Sequence, residues 1–225
     1  LYERAQRILA DTESLERDLR DFDETEAADL RVGTSDTTAL YVLPEAVREF
    51  SRAFPKTRLT LINRSSDAIA EHVRRGELDL GIVTLPLNHD DLAERPLFEE
   101  ELVLVVPRGH RLADAGRAAL ADLRREPVLL IEPGTRTGRL LREHFQRKGF
   151  VPQTVLHSGS FEVIKRYVAE GIGVSFLPEL TVGPNDKLLV KVSVPGLPRV
   201  RIGAITRKGA YRKKAQEAFL ALLRP

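Results

Sequence analysis

From Leu30 onward, short apolar runs alternate with amphipathic stretches, and this alternation restricts the fold more than any other feature of the sequence. The apolar runs have the length of strands, and the stretches between them repeat apolar residues with a helical period. The first series predicts strands at Leu30–Gly33, Leu59–Ile62 and Leu78–Val83, with helices around Leu40–Phe54 and Ala68–Arg75. Strand–helix–strand units form parallel sheets with right-handed crossovers. We therefore expect an α/β protein.

A second series follows a long strand predicted at Glu101–Pro107. In this series, strands are predicted at Val128–Ile131, Val155–His157 and Val174–Leu177, and helices at Arg139–Lys148 and Phe161–Ala169. Two further strands follow at Leu188–Val194 and Val200–Thr206, and a last helix is predicted around Tyr211–Leu223. Two such series predict two Rossmann-like lobes joined by crossing strands near residues 98–103 and 199–206. Residues 27–100 and 204–225 are assigned to lobe I, and residues 101–203 to lobe II. Because open α/β sheets bind ligands beyond the carboxyl ends of their strands, the cleft between the lobes is the expected site.

Residues 1–26 precede this alternation and are predicted to form a linker helix that mediates dimerisation. Apolar side chains recur there with a heptad spacing at Leu1, Ile8, Leu15 and Phe22, and Ala5, Thr12 and Leu19 form a companion row. A helix of three heptads is marginal alone, so a second copy of the chain is the preferred partner, in a homodimer or homotetramer. The alternative is an amphipathic helix packed on its own domain.

Composition removes several classes of function. The chain has no cysteine, which excludes disulfides, thiolate nucleophiles and thiol redox sensing within it. The formal net charge of +2 gives no global attraction for nucleic acid. No apolar run approaches the roughly 20 residues that a membrane span needs, and the charged start Leu1–Arg4 does not resemble a secretory signal. We expect a cytoplasmic chain with no membrane partner.

No catalytic constellation is found in the sequence. Gly171-Ile172-Gly173 lacks the third glycine of a dinucleotide fingerprint, and the loop Gly134–Gly138 lacks the terminal Lys-Ser/Thr of a phosphate loop. Ser175 lies inside an apolar strand, and the five histidines have no ligand spacing. We therefore expect no catalytic residue, no metal site and no cofactor.

Hydroxyl side chains recur where predicted strands lead into predicted helices. They lie in the segments Thr34–Thr38, Asn63–Ser66, Thr84, Thr135–Thr137 and Ser158–Ser160. Helix N-caps are one explanation for them. At the carboxyl ends of parallel strands, such residues also direct hydroxyls and free N–H groups toward the expected cleft, where the positive ends of helices favour an anion. A small anionic ligand is therefore the expected partner.

Four ordered segments together resemble the regulatory domain of the LysR family of transcriptional regulators. They are Leu43-Pro44 with Phe50, Phe54-Pro55 and Leu59-Thr60-Leu61; Arg75–Ile82; Leu104–Pro107 with His110-Arg111-Leu112; and Val168, Gly171–Gly173 and Leu177-Pro178. The resemblance extends over essentially the whole chain. It implies a periplasmic-binding-protein-like fold of type II and a sensor that is not an enzyme. It also implies a winged helix-turn-helix upstream of the linker helix, which we expect to be absent from this chain, so that DNA is contacted only through that missing domain.

The resemblance also nominates effector-binding residues. Ser35 and Thr37 match hydroxyls that hold effectors in this family at the turn after the first strand, and Ser65 or Ser66 matches the hydroxyl at the turn after the second strand. In the second lobe, Thr135 or Thr137 matches an effector contact, and Phe161 matches a residue at the start of a helix that forms the wall of the site. Thr34 and Thr84 join this set from the turn pattern. Members that bind dicarboxylates often place Arg just after the third strand, where this chain has Thr84 and Pro86. This departure favours a small inorganic or monocarboxylate anion.

Three other functions are compatible with parts of the sequence. A solute-binding protein of a transporter shares the fold but usually lacks a coiled-coil leader. An enzyme on the same two-lobed scaffold would need a catalytic base, and none can be named. Direct nucleic-acid binding would use a basic run near the C-terminus, formed by Arg199, Arg201, Arg207, Lys208, Arg212, Lys213 and Lys214.

The heptad pattern predicts that the chain self-associates. Sedimentation at micromolar concentration should show a dimer or larger species, and Leu15→Glu should weaken it because a charge at an apolar seam position is costly to bury. Arg17→Glu, at a position outside both rows, is the matched control. A strictly monomeric wild-type chain would contradict the linker-helix interpretation.

Overall fold

The computed structural model describes Thr12, residues 29–211 and residues 213–223. The predicted dimerisation residues Leu1, Ile8, Leu15, Leu19 and Phe22 lie outside the described residues. The chain divides into two compact units, which are considered separately below. Unit 1 contains the described residues up to Phe98 and those from Arg201 onward, and unit 2 is Glu99–Val200. The chain passes between them within one strand at residues 98–99 and within another at residues 200–201.

The described elements alternate along the chain in the predicted α/β manner. In order they are β1 (Asp29–Thr34), α1 (Asp36–Tyr41), α2 (Leu43–Ala53), β2 (Arg58–Asn63), α3 (Ser66–Arg74), β3 (Leu80–Leu85), β4 (Leu92–Pro107), β5 (Pro127–Ile131), α4 (Arg136–Arg147), β6 (Gln153–Ser158), α5 (Phe161–Ala169), β7 (Val174–Pro178), β8 (Leu189–Val192), β9 (Arg199–Arg207) and α6 (Lys214–Leu222), with 3₁₀ turns at Leu120–Leu123 and Glu179–Thr181. No helix among them is long and apolar enough to cross a membrane.

The sheet of unit 1 has the strand order β2-β1-β3-β9. Strand β1 runs parallel to β2 and β3, and β9 closes the order antiparallel to β3. On one face, α3 packs very closely on β1 and β3, since a Cβ added at Gly33 or Gly81 would lie 2.8 or 2.7 Å from Ile69. On the other face, Phe50 of α2 meets Phe219 of α6 edge to face at 5.3 Å.

The sheet of unit 2 has the order β4-β7-β5-β6, with β8 on the other side of β4. Strand β5 runs parallel to β6 and β7, while β4 is antiparallel to β7 and β8. The core includes Leu129, Ile164 and Phe176, all fully buried, and Phe145 of α4 stacks obliquely on Phe176 at 5.1 Å. The parallel strand–helix units predicted from the alternation are thus confirmed in both units.

The two largest differences from the sequence-based expectation concern the first predicted helix and the long strand. The helix predicted around Leu40–Phe54 is two helices, because the chain breaks at Val42 and Pro44 lies at the start of α2, where a missing N–H is tolerated. Strand β4 begins at Leu92 instead of Glu101. Its first half carries several charged, exposed side chains, so the apolar criterion does not detect it.

Gly138 lies at the start of α4, where the neighbouring backbone leaves no room for a side chain. A Cβ there would lie 2.1 Å from the Glu132 carbonyl oxygen, so we expect Gly138→Ala to reduce the free energy of unfolding by about 1–3 kcal/mol. Gly134→Ala is the matched control, because nothing lies within 4 Å of its added Cβ. Urea denaturation of both variants measures the difference, and equal stabilities would contradict the account.

Candidate functional site

The strand-to-helix turns of unit 1 share one edge of its sheet. In the parallel register, Thr34 at the end of β1 lies opposite Asn63 of β2 and Ile82 of β3. The Arg64 N–H donates to the Thr34 carbonyl oxygen at 3.1 Å, which fixes the turn after β2 beside the turn after β1. The predicted residues Thr34, Ser35, Thr37, Ser65, Ser66 and Thr84 are therefore brought to a common edge.

The turn after β1 combines a helix cap with partly accessible hydroxyls. Ser35 is the N-cap of α1, and its Oγ accepts from the Thr38 N–H at 3.3 Å and lies 3.1 Å from Thr38 Oγ1. Thr37 is half-buried in the first turn of α1, while Thr38 is buried. Ser35 is thus a cap, as expected of a residue of this type at this position.

The Thr34 hydroxyl is the unusual group of this turn. Thr34 is fully buried, and its Oγ1 is the one buried side-chain nitrogen or oxygen among the described residues that has no hydrogen-bond partner. An unpaired buried hydroxyl costs about 1–3 kcal/mol. The proton and lone pairs of this hydroxyl are therefore not used by any residue that the structure describes.

The turn after β2 uses its two serines differently. Ser65 is exposed and is the N-cap of α3, accepting from the Ala68 N–H at 3.4 Å. Ser66 Oγ accepts from the Thr84 N–H at 3.1 Å and thereby ties α3 to the end of β3. A serine hydroxyl that accepts in this way keeps its own proton free to donate. Both serines can therefore donate to an anion.

The corresponding edge of unit 2 gathers Thr135, Thr137 and Phe161. Ile131 lies opposite Ser158, and the Glu132 N–H donates to the Ser158 carbonyl oxygen at 2.9 Å. Thr135 caps α4 by accepting from the Gly138 N–H at 3.0 Å, and its Oγ1 also donates to the Glu132 carbonyl oxygen at 2.8 Å.

These hydrogen bonds distinguish Thr135 from Thr137 as candidate ligand contacts. Because the hydroxyl proton of Thr135 is already used within the turn, this side chain has no further proton for an anion. Thr137 is buried in the first turn of α4, and Phe161 is the buried first residue of α5. Thr137 is therefore the better of the two candidates on this edge.

Sequence reasoning did not nominate Glu132, which is exposed on the same edge. Its Oε2 lies 3.4 Å from the position that a Cβ on Gly159 would take, so the carboxylate stands beside the turn that leads into α5. No sequence signal separated this glutamate from other surface acids. The edge of unit 2 thus carries one negative charge and also Arg139, whose Nη1 donates to the Gly134 carbonyl oxygen at 2.8 Å.

The basic residues near the C-terminus do not form one free cationic face. Lys213 is buried, lies 3.3 Å from Asp79 Oδ1 and donates to the Asp29 carbonyl oxygen. Arg199 pairs with Glu101, and Lys208 donates to the Asp90 carbonyl oxygen. Arg212 lies outside the described residues. These internal contacts disfavour the nucleic-acid interpretation of this run.

Histidine and carboxylate side chains do not gather into a centre within the described ranges. Among those residues no group of three or more could hold a metal ion. His72 pairs with Glu77, and His110 Nε2 lies 3.2 Å from Glu126 Oε2. Each of these histidines thus contacts a single carboxylate close to it in the structure.

Comparisons with known proteins identify the family. Residues 23–225 match the model of the LysR substrate binding domain. The chain is 32% identical over 226 residues to the HTH-type transcriptional regulator SsuR of Burkholderia cenocepacia, covering 98% of this chain and 72% of that protein. It is 31% identical over 184 residues to the regulator cbl of Escherichia coli, covering 81% of this chain and 58% of that protein.

Solved structures agree with this assignment. The cofactor-binding domain of the Cbl transcriptional regulator superposes with a TM-score of 0.82 at 28% identity, covering 89% of each chain. The CcmR regulatory domain of Synechocystis, solved in complex with 2-PG, gives a TM-score of 0.79 at 26% identity over 87% of this chain and 95% of that one. The resemblance in the four sequence segments and the periplasmic-binding-protein-like fold are both confirmed. The chain belongs to the LysR family and is the effector-binding domain of a LysR-type transcriptional regulator.

Proposed function

We propose that this domain binds a small anionic effector at the carboxyl edge of the unit 1 sheet and that binding is passed to a DNA-binding domain of the same regulator. The observation that carries the proposal is the Thr34 hydroxyl, which is buried at that edge without a partner. The similarity to a regulatory domain solved with 2-PG supports a small ligand. Anions accept hydrogen bonds, and this edge offers donors.

The donors are hydroxyl groups whose own protons remain available. Ser66 accepts from a backbone N–H and can donate outward, and Thr37 is half-buried in the same turn as Ser35. Charge-assisted hydrogen bonds contribute about 1.5–3 kcal/mol each. Two or three of them, together with the Thr34 hydroxyl, would hold an inorganic anion or a monocarboxylate.

The other candidate residues have secondary roles in this proposal. Ser65 is an exposed helix cap, and the Thr84 N–H donates to Ser66 Oγ. Thr135 is a helix cap whose hydroxyl proton is donated to the Glu132 carbonyl oxygen. Thr137 and Phe161 lie on the edge of unit 2 beside the Glu132 carboxylate, and we keep them as candidate ligand contacts of that unit.

Binding is proposed to occur without turnover, since the residues at the edge offer hydroxyls and N–H groups but no paired nucleophile and base. Family membership favours a regulator over a transporter's solute-binding protein. We also propose that the domain acts as a homodimer or homotetramer and reaches DNA only through an N-terminal domain.

Thr34→Val tests the site. The hydroxyl makes no internal hydrogen bond, and valine suits a buried strand, so the stability of the free domain should be unchanged or higher. Affinity for the bound anion should fall about tenfold to a hundredfold because one charge-assisted hydrogen bond is lost. The anion is first found by a thermal-shift screen of sulfate, phosphate, acetate and 2-PG, and calorimetry then measures its Kd.

Thr181→Val is the matched control. Thr181 is also fully buried, but its Oγ1 donates to the Pro178 carbonyl oxygen at 2.7 Å in unit 2. The control should therefore lose about 1–3 kcal/mol of stability and keep its affinity. If Thr34→Val binds the anion as tightly as the wild type, Thr34 has no part in the site.

Ser35→Asp and Ser35→Asn test the charge of the effector. Both residues are good N-caps, so the stability of the domain should be kept in each variant. The aspartate places a negative charge in the turn and should weaken anion binding about tenfold or more relative to asparagine, after screening by solvent. Calorimetry with the same anion measures the ratio, and equal affinities would show that the effector's charge lies elsewhere.

A further inference from the structure

Unit 2 contains a pocket that is separate from the turns described above. Its volume is about 480 Å³, within the range typical of small-molecule sites. Its apolar walls are formed by Ala118, Leu120 and Pro195, and its polar groups include Arg117, His144 and Lys148. Part of the wall is fixed by the backbone, because the Ser193 N–H donates to the Gly116 carbonyl oxygen at 3.0 Å and the Ala118 N–H donates to the Ser193 carbonyl oxygen at 2.9 Å.

The charged side chains of the pocket are predominantly basic. Arg117 and Lys148 are exposed, and their side chains make no ion pair with any residue that the structure describes. The acid of the lining, Asp122, has its Oδ2 occupied by the Ala119 N–H at 2.8 Å. Because the lining has two positively charged side chains and one carboxylate, which already accepts a backbone hydrogen bond, the electrostatic potential at the pocket is positive.

His144 contributes an uncharged polar group to the lining. It is 5% exposed and lies in the last turn of α4, about one helical turn before the C-cap residue Lys148. Burial lowers the pKa of His144, and the neighbouring charges of Arg147 and Lys148 lower it further. The ring is therefore neutral near pH 7 and can offer one donor or one acceptor.

We propose that this pocket is an accessory binding site for a small organic anion. The apolar body of the ligand packs on Ala118, Leu120 and Pro195, and its carboxylate or equivalent group lies against Arg117 and Lys148. A bare inorganic ion would leave the apolar walls unused, and a neutral apolar molecule would leave the two cations without a partner. The site is independent of the anion site proposed at the edge of unit 1.

Benzoate and benzamide form a matched pair of probes, because they share the ring and differ in charge. Titration of the ¹⁵N-labelled chain with benzoate should shift the amide signals of Ala118, Leu120, His144 and Lys148. Arg117→Gln and Lys148→Gln should each weaken benzoate binding about threefold to tenfold, since partly exposed charge pairs contribute less than buried ones. Benzamide should bind more weakly than benzoate by a similar factor.

Arg142→Gln is the control variant, because it removes an exposed positive charge from the same helix outside the pocket lining. It should leave unchanged the benzoate affinity that the pocket amide signals report, and because all of those amides lie in unit 2, this readout separates the pocket from the site proposed in unit 1. The absence of shifts at the pocket amides, equal binding of benzamide, or equal losses in Arg142→Gln and the two pocket variants would each overturn the proposal.

Discussion

The close packing of α3 on the unit 1 sheet is the contact on which the geometry of the candidate site depends. Gly33 and Gly81 let the helix approach β1 and β3 so nearly that a Cβ at either position would collide with Ile69. Because the helix lies this close, Ser66 at its start reaches the Thr84 N–H at the end of β3. This hydrogen bond joins the first residue of α3 to the end of β3 at the carboxyl edge of the sheet. A larger residue at Gly33 or Gly81 would collide with Ile69 and, at a shorter distance, with Leu78 or Ile205, so the packing around this edge would have to change.

Much of this fold follows from local sequence patterns. Apolar runs locate the strands of both units because buried parallel strands need continuous apolar faces. The break between α1 and α2 was missed, although Pro44 is visible in the sequence, because apolar periodicity continues across Val42. The early start of β4 at Leu92 depends on pairing with distant residues. Its charged side chains gave no local strand signal.

The sequence predicts which residue types lie at the candidate site but not how each of their hydroxyl groups is paired. Hydroxyls at strand-to-helix turns are visible in the sequence, yet a cap and a ligand contact have the same residue types. The Thr135 proton is used by the Glu132 carbonyl oxygen three residues earlier, whereas the Thr34 hydroxyl is buried by tertiary packing and has no partner, and the residue types alone do not reveal this difference. The position of the Glu132 carboxylate beside Gly159 likewise depends on the pairing of β5 with β6. Such contacts join segments far apart in the chain.

The central claim is that an anionic effector is held by hydroxyls at the carboxyl edge of unit 1. A crystal structure of the domain grown with the anion that gives the largest thermal stabilisation tests it most directly. The account predicts density for that anion within hydrogen-bond distance of Thr34 Oγ1 and of at least one hydroxyl among Ser35, Thr37 and Ser66. Density for the anion bound elsewhere, with Thr34 Oγ1 still unpartnered, would contradict it.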